Sequence, residues 1–135
     1  MFVLCPECWN EIKSVPTVCP NCGTSVDLYS RGYERKLIAA LPRSMAERRA
    51  QICWMLGSRG KRSAVPALIE LLHDPDVLVR VAALRGLGEI GDVSAVPAIE
   101  KAANSDEPLA VQLIARNVLK MLNVDAHTSK HRQAV

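Results

Sequence analysis

Aromatic residues are scarce in this chain of 135 residues, which contains two tryptophans, two tyrosines and one phenylalanine. That scarcity argues against an enzyme with a deep aromatic-lined pocket. No apolar run reaches the length of a membrane span, and the apolar stretch before Cys5 is too short for the core of a secretory signal. The hydrophobic fraction of 49% is too high for a disordered chain. We therefore expect a globular cytoplasmic protein.

Catalytic motifs are also missing from the sequence. There is no glycine-rich phosphate loop, no G-x-S-x-G elbow and no H-E-x-x-H pair. Of the three histidines, His127 and His131 lie close to the end of the sequence, and His73 precedes Asp74 and Pro75. We interpret His73 as a cation near the end of a helix rather than as a metal ligand. The sequence therefore predicts a protein that is not an enzyme.

Four of the five cysteines form two C-x-x-C units, with Cys5 and Cys8 in the first and Cys19 and Cys22 in the second. Two such turns at the ends of a short hairpin bring four thiolates to one centre, which suits a tetrahedral Zn²⁺ ion. Because all four ligands come from protein, we expect one structural zinc ion. The other interpretations are a redox-active dithiol, a rubredoxin-like iron site and two disulfides.

The segment 1–28 resembles the small zinc-ribbon family. The second unit, C-P-N-C-G, matches the family pattern, whereas the first has Trp9 where a glycine is usual. A segment this short cannot bury a core of its own, so metal binding is expected to fold it. Cys53 stands apart in a helical pattern and is predicted to be a buried core residue.

An internal repeat follows the cysteine-rich segment. One constant shift along the sequence places Leu56 on Leu87 and Gly57 on Gly88. The same shift aligns two copies of the segment S-A-V-P-A, at 63–67 and 94–98, without a mismatch. Each unit reads as two helices, and we predict six helices with short turns. Ser44 is predicted to open one helix through a capping box, and Gly57 and Gly88 are predicted to end their helices.

The repeat resembles the HEAT repeats, most closely the short variety named after phycobilisome lyase proteins. The matching residues are Asp76, Arg80, the segment 87–92 and the segment 95–98, within a resemblance that covers about residues 34–122. It implies structural roles for Asp76, Arg80 and Asp92, and it is found in scaffolds as well as in chromophore lyases.

We therefore predict an all-α fold, a short α-solenoid of HEAT-like helical pairs preceded by a four-cysteine zinc-ribbon β-hairpin. The predicted domains are the zinc ribbon at 1–28, the repeat domain at 29–122 and a disordered tail at 123–135. Because the last helix has no following partner, self-association through Leu113, Leu119 or Leu122 is a further hypothesis.

The net charge of +3 hides an uneven distribution. Nine basic and two acidic residues between Arg31 and Arg62 give this block a net charge of +7 and leave −4 for the rest. A solvated helix face is one interpretation, and an anionic partner is the other. Trp54 is assigned to the core and Tyr33 to the linker, so nucleic-acid binding would be salt-dependent and nonspecific. The candidate anion-binding residues are Arg43, Arg48, Arg49, Arg59, Lys61 and Arg62.

The predicted function is a noncatalytic scaffold or adaptor that binds another protein across its helical surface. By the usual repeat geometry, the second helix of each pair faces the partner, which gives the candidates Leu68, Glu70, His73, Glu100, Lys101 and Asn104. One alternative is a nucleic-acid-associated factor that uses the ribbon and the basic block. A second alternative, suggested by the family resemblance, is a bilin lyase or lyase subunit.

Overall fold

The computed structural model describes residues 3–12, 18–27 and 31–133, with side chains as far as residue 122 except at residue 31. The chain divides into two compact units, Met1–Arg43 and Ser44–Val135. The strands and helices are β1 (Val3–Leu4), β2 (Glu11–Ile12), α1 (Arg31–Ala40), α2 (Ala46–Arg59), α3 (Val65–Glu70), α4 (Val77–Ile90), α5 (Val96–Asn104) and α6 (Leu109–Gln133).

The first unit combines a small antiparallel hairpin with helix α1. The two strands pair Val3 with Ile12 and Leu4 with Glu11. Leu4 and Ile12 are buried, as is Leu37 on α1. The predicted zinc-ribbon hairpin is therefore present, and it shares its unit with a helix.

Tyr33 lies in α1 rather than in a linker, so the assignment of this residue from the sequence is wrong. Its side chain is buried, and its hydroxyl donates a hydrogen bond of 2.9 Å to the carbonyl oxygen of Leu4. A tyrosine can be buried when its hydroxyl finds such an acceptor. Tyr33 thereby ties α1 to the first strand.

The second unit is a stack of helices, and with six α-helices among the described residues it confirms the predicted all-α solenoid. The helices α2, α4 and α6 are the first helices of successive repeats, and they pack side by side. The second helices, α3 and α5, pack against α4 and α6 respectively. Each pair thus covers its apolar face with the next pair, as solenoid repeats must. The largest fully buried side chains include Ile52, Leu56, Leu68, Leu84, Leu87, Ile99 and Leu122.

The glycines that end the helices are not the predicted ones. Helix α2 continues past Gly57 to Arg59, and its left-handed cap is Gly60 with φ of 65°. Gly91, with φ of 72°, ends α4 in the same way. Gly57 is instead a packing residue, because a Cβ atom at that position would lie 2.6 Å from the Cα atom of Gly86.

The helix starts also differ from the prediction by a residue or two. Met45 occupies the N-cap of α2, one position after Ser44, and its side chain makes no capping bond. The cap of α4 is Asp76, whose carboxylate accepts a hydrogen bond of 2.8 Å from the Leu78 amide. Asp74, which also precedes this helix, is buried in another role.

Asp92 caps the turn before α5 by accepting from the Ser94 amide at 3.0 Å. The position one repeat earlier holds Lys61, which makes no such side-chain bond. The two repeats therefore begin their second helices with different stabilisation.

Helix α6 continues through Gln133, although its apolar spacing ends at Leu122 and a disordered tail was predicted from residue 123. A backbone can remain helical without an apolar stripe, because each residue added to an existing helix gains a hydrogen bond without a new nucleation step. The predicted domain boundaries at residues 28 and 122 stay predictions.

Candidate metal centre and interaction surfaces

The four cysteines of the two C-x-x-C units meet at one centre. Their Sγ atoms all lie within 4.8 Å of one another. Cys5 and Cys22 are separated by 3.6 Å between sulfurs, as are Cys8 and Cys19. A tetrahedron with metal–sulfur bonds of about 2.3 Å has sulfur–sulfur edges of about 3.8 Å. The cluster can therefore hold a metal ion by four thiolates.

The two turns that carry these ligands have the same backbone form. The Trp9 amide donates to the Cys5 carbonyl at 2.9 Å, and the Gly23 amide donates to the Cys19 carbonyl at 3.0 Å. Both donors adopt positive φ, 62° at Trp9 and 75° at Gly23. The replacement of the usual glycine by Trp9 after the first C-x-x-C pair therefore does not prevent the turn. Trp9 takes a left-handed conformation that costs a non-glycine residue about 1–2 kcal/mol.

The environment of the thiols differs from one side of the cluster to the other. Burial raises the pKa of Cys5 to about 11. A hydrogen bond from the side chain of Asn21 lowers the pKa of Cys8 to about 6, and a hydrogen bond with Thr24 lowers that of Cys22. A bound cation deprotonates coordinating thiols outright, so all four would bind as thiolates.

All five cysteines are free thiols. Sulfurs 3.6 Å apart are far beyond the bond length of a disulfide, about 2.05 Å, so the two-disulfide interpretation does not describe this structure. Cys53 is fully buried in α2, and burial raises its pKa to about 12. The separation of four clustered cysteines from one core cysteine is confirmed.

A ladder of arginines links successive repeats. The guanidinium of Arg49 donates to both carboxylate oxygens of Asp74, at 2.7 and 2.9 Å, and to the Ser44 carbonyl at 2.6 Å. One repeat later, Nη1 of Arg80 donates to the Asp74 carbonyl at 2.6 Å, and its Nε lies 3.1 Å from Oε2 of Glu107. Each arginine thus meets an acid in the loop that precedes the next first helix.

The ladder confirms the structural role that the family resemblance implies for Arg80, and the capping bonds at Leu78 and Ser94 do so for Asp76 and Asp92. Burial alone would raise the pKa of Asp74, but hydrogen bonds from Arg49 and from the Asp76 amide hold it below its usual value. The sequence placed Arg80 correctly and missed Asp74, whose partner comes from the preceding repeat.

These repeats define the chain as an α-solenoid protein. Residues 34–120 match the HEAT repeats, so the chain belongs to the HEAT-repeat family. A comparison with curated proteins finds no match. Among the described helices, none is both long and apolar enough to cross a membrane.

The candidate anion-binding residues have different surroundings. Arg49 is engaged in the ladder, and Arg48 donates to Gln51 at 3.0 Å. Lys61 and Arg62 are exposed in the turn after α2, where Arg62 reaches Asp92 only at 3.9 Å. Arg43 belongs to the first unit, whereas Arg48, Arg49, Arg59, Lys61 and Arg62 belong to the second.

The candidate partner surface on the second helices is largely exposed. Glu70, His73, Glu100, Lys101 and Asn104 all face solvent. Leu68 does not, because it is fully buried under α4, within 3.3 Å of a Cβ atom built on Gly86. At the end of the stack, Leu113 is exposed, Leu119 is half-buried and Leu122 is buried.

Trp54 is another residue that the sequence prediction placed wrongly. It was assigned to the core, but its side chain is 48% exposed on the outer face of α2. The repeat itself carries the signal, because the shift that superposes the repeats aligns Trp54 with Arg85 and Arg116. Arg85 and Arg116 are both exposed, so the aligned position lies on the outside of the stack.

Proposed function

We propose that this chain is a noncatalytic macromolecular interaction module, a scaffold or adaptor that binds a protein partner on its HEAT-repeat surface. The observation that carries the proposal is the family match over residues 34–120. Stacked helical pairs expose an extended surface whose residues do not have to stabilise the fold. That surface is available for recognition.

The second helices α3 and α5 offer the partner surface. Lys101 occupies the repeat position of Glu70, and Asn104 that of His73, so equivalent exposed positions differ in charge and hydrogen bonding. A surface that changes chemistry from repeat to repeat can distinguish one partner from another.

The four cysteines would hold one structural Zn²⁺ ion in the first unit. A complete set of four thiolates leaves no open coordination position for water or substrate, and a structural role follows from that donor set. Free thiols and zinc both suit the cytoplasm, which is the proposed location.

Affinity purification from the native host tests the adaptor role. The full chain is compared with the double variant Glu70→Lys/Lys101→Glu, and Lys120→Glu on α6 serves as the control for a surface charge change. We expect a partner that the wild type and the control retain and the double variant loses. Equal recovery by all three would place recognition elsewhere, and absence of any partner would contradict the adaptor role.

A nucleic-acid-associated role is the second candidate, supported by the exposed turn of Lys61 and Arg62, the latter with 85% of its side chain accessible. Fluorescence anisotropy against random RNA and DNA at two salt concentrations separates the roles. Phosphate contacts give an affinity that falls steeply with salt, and replacing both residues by alanine would reduce that slope. No binding at low salt would end this candidate.

A bilin lyase remains a third role, proposed only on the family resemblance. It requires binding of a tetrapyrrole, which the visible absorbance of an added bilin would report. An unchanged spectrum at excess protein would remove this role.

A further inference from the structure

The outer faces of α2 and α4 enclose an apolar cleft of about 350 Å³. Ala50 and Trp54 form the α2 wall, and Leu78, Val81 and Ala82 form the α4 wall. This volume lies at the lower end of the range of roughly 300–1,000 Å³ that is usual for ligand sites. The cleft lies on the first helices, away from the partner surface proposed on α3 and α5.

The walls of the cleft leave large apolar side chains in water. Trp54 is 48% exposed and Leu78 is 70% exposed. Tryptophan in a partly desolvated cleft is the residue type that most often dominates binding energy at protein interfaces. An exposed apolar surface of this kind is a candidate contact for another molecule.

Comparison between repeats shows that this cleft is special to one place in the stack. Trp54 stands where the next two repeats have Arg85 and Arg116. Gly86, also in the cleft, aligns with Met55 and Asn117. Stacking of first helices does not require tryptophan at this exposed position, since arginine fills it twice.

The charges at the cleft select the kind of occupant. Arg85 and Glu89 line it one turn apart on α4, and in the described part of the chain neither forms an ion pair. Four residues along a helix correspond to about 6 Å. An occupant that complements both must present an acid and a base about one helical turn apart. The negative charge of Glu89 would repel the phosphate backbone of a nucleic acid.

A second copy of this chain fits less well. The exposed apolar residues Leu109 and Leu113 on α6 could enter such a cleft, but Arg116 and Lys120 are the charged residues between positions 109 and 122. That segment offers no acid for Arg85. A helix of a different protein that carries charges of both signs can complement both Arg85 and Glu89.

We propose that this cleft binds an amphipathic helix of a partner protein, whose apolar side chains enter between Trp54 and Leu78 and whose acidic and basic residues meet Arg85 and Glu89. Amphipathic helices are recognised in this way by apolar grooves, through residues spaced by three and four positions. The inference rests on the proposed protein-binding function and adds a site and a partner chemistry to it.

The test uses the full metal-bound chain and a library of amphipathic helical peptides, with the two charged positions varied among Glu, Lys and Gln. Affinity is measured by isothermal titration calorimetry, and NMR titration that follows the backbone amides locates the site. We expect the tightest peptides to carry one acid and one base a turn apart. The variant Arg85→Glu should shift that preference toward a base at the position that faces residue 85.

Trp54→Arg is the matched variant, because it installs the residue found at the same position in the other repeats. It should keep the circular dichroism spectrum and weaken the best peptide at least tenfold. Met121→Arg, at an exposed position on α6 outside the cleft, should bind as the wild type does. Equal weakening by the two variants would overturn the inference.

The remaining outcomes separate this inference from the proposed function. Peptides that bind but shift resonances on α3 and α5 would overturn the cleft and leave the adaptor role intact. Peptides that bind nowhere would overturn the cleft as a helix site, while the affinity purification decides the adaptor role. Concentration-dependent dimerisation lost in Trp54→Arg would identify a second copy as the occupant and contradict the proposal.

Discussion

Asp74 connects two repeats through a single buried carboxylate. Its oxygens receive both arms of the Arg49 guanidinium, and its backbone carbonyl receives Arg80. Only about 6% of the Asp74 side chain and 19% of the Arg49 side chain remain accessible. Removing one member of such a pair leaves a charge that is buried without compensation, which is far more costly than breaking a surface ion pair.

We predict that Asp74→Asn lowers the free energy of unfolding by about 1–3 kcal/mol at about pH 7. The folded-state pKa of Asp74 lies below its unfolded value, so its stabilisation is present above the unfolded pKa and is lost as pH falls through the folded pKa. The gap between wild type and variant should therefore shrink toward about pH 3, which urea unfolding at several pH values measures.

Asp106→Asn is the control for that prediction, because Asp106 is exposed in the corresponding loop one repeat later. It should change stability by less than about 0.5 kcal/mol at any pH. A constant gap between Asp74→Asn and the wild type across the pH range would contradict the assigned role of the Asp74 charge.

The helices of the stack approach most closely where glycines face each other. A Cβ atom on Gly57 would lie 2.6 Å from backbone atom Cα of Gly86, whereas one on Gly88 would lie 3.2 Å from the methyl groups of Val118. A side chain can turn aside, but a helix backbone cannot move without disturbing its neighbours. Gly57 and Gly88 occupy the same repeat position and still face different constraints.

We predict that Gly57→Ala lowers the free energy of unfolding by about 1–3 kcal/mol, because α2 and α4 must separate. Gly88→Ala should cost less than about 1 kcal/mol, since the higher helix propensity of alanine offsets a small shift of Val118. Thermal unfolding of the two variants measures the difference. A larger loss for Gly88→Ala would contradict the packing argument.

In the first unit, a buried hydrogen bond joins α1 to the hairpin. Tyr33→Phe leaves the Leu4 carbonyl without its donor and should weaken zinc retention about tenfold, because metal binding and folding are coupled in such small units. Competition with a chelator measures the change. Lys36→Gln is the control, since the Lys36–Glu7 ion pair is exposed and contributes little. Equal effects of the two variants would argue against the role of Tyr33.

The elements that the sequence predicts well are those set by spacing. Two C-x-x-C units predicted the cysteine cluster, and the internal repeat predicted six helices. The errors occur where the local pattern has two meanings. Gly57 follows a leucine near a helix end, a pattern typical of a cap, but this glycine packs against Gly86 on another helix. Trp54 is apolar, which favours a core position, but it aligns with Arg85 and Arg116, and all three are exposed in the structure.

Across the whole molecule, two units rely on different sources of stability. The unit Met1–Arg43 contains the four-cysteine cluster, whereas the unit Ser44–Val135 is stabilised by helix stacking and the arginine ladder. Small metal sites supply folding free energy directly, but a stacked helical array has no such dependence. The two units should therefore respond differently to loss of metal.

We predict that the purified chain contains about one zinc ion and that a strong chelator unfolds residues 1–43 while the second unit stays folded. Circular dichroism should retain most of the helical signal, and NMR should show loss of dispersed resonances from the first unit. Cys19→Ser should reproduce this state without chelator. A metal content near zero under reducing conditions, or collapse of the entire helical signal, would contradict the prediction.

Each unit happens to contain one of the two tryptophans, Trp9 beside the second cysteine and Trp54 on the outer face of α2. The intrinsic fluorescence of the chain is therefore a sum of two local reporters. In the Trp54→Arg variant, the remaining fluorescence comes from Trp9 and reports on the cysteine-rich turn alone. The difference between the wild-type and variant spectra comes from Trp54 and reports on the stacked helices. The two tryptophans thus allow the two units to be observed separately in the intact protein without an added label.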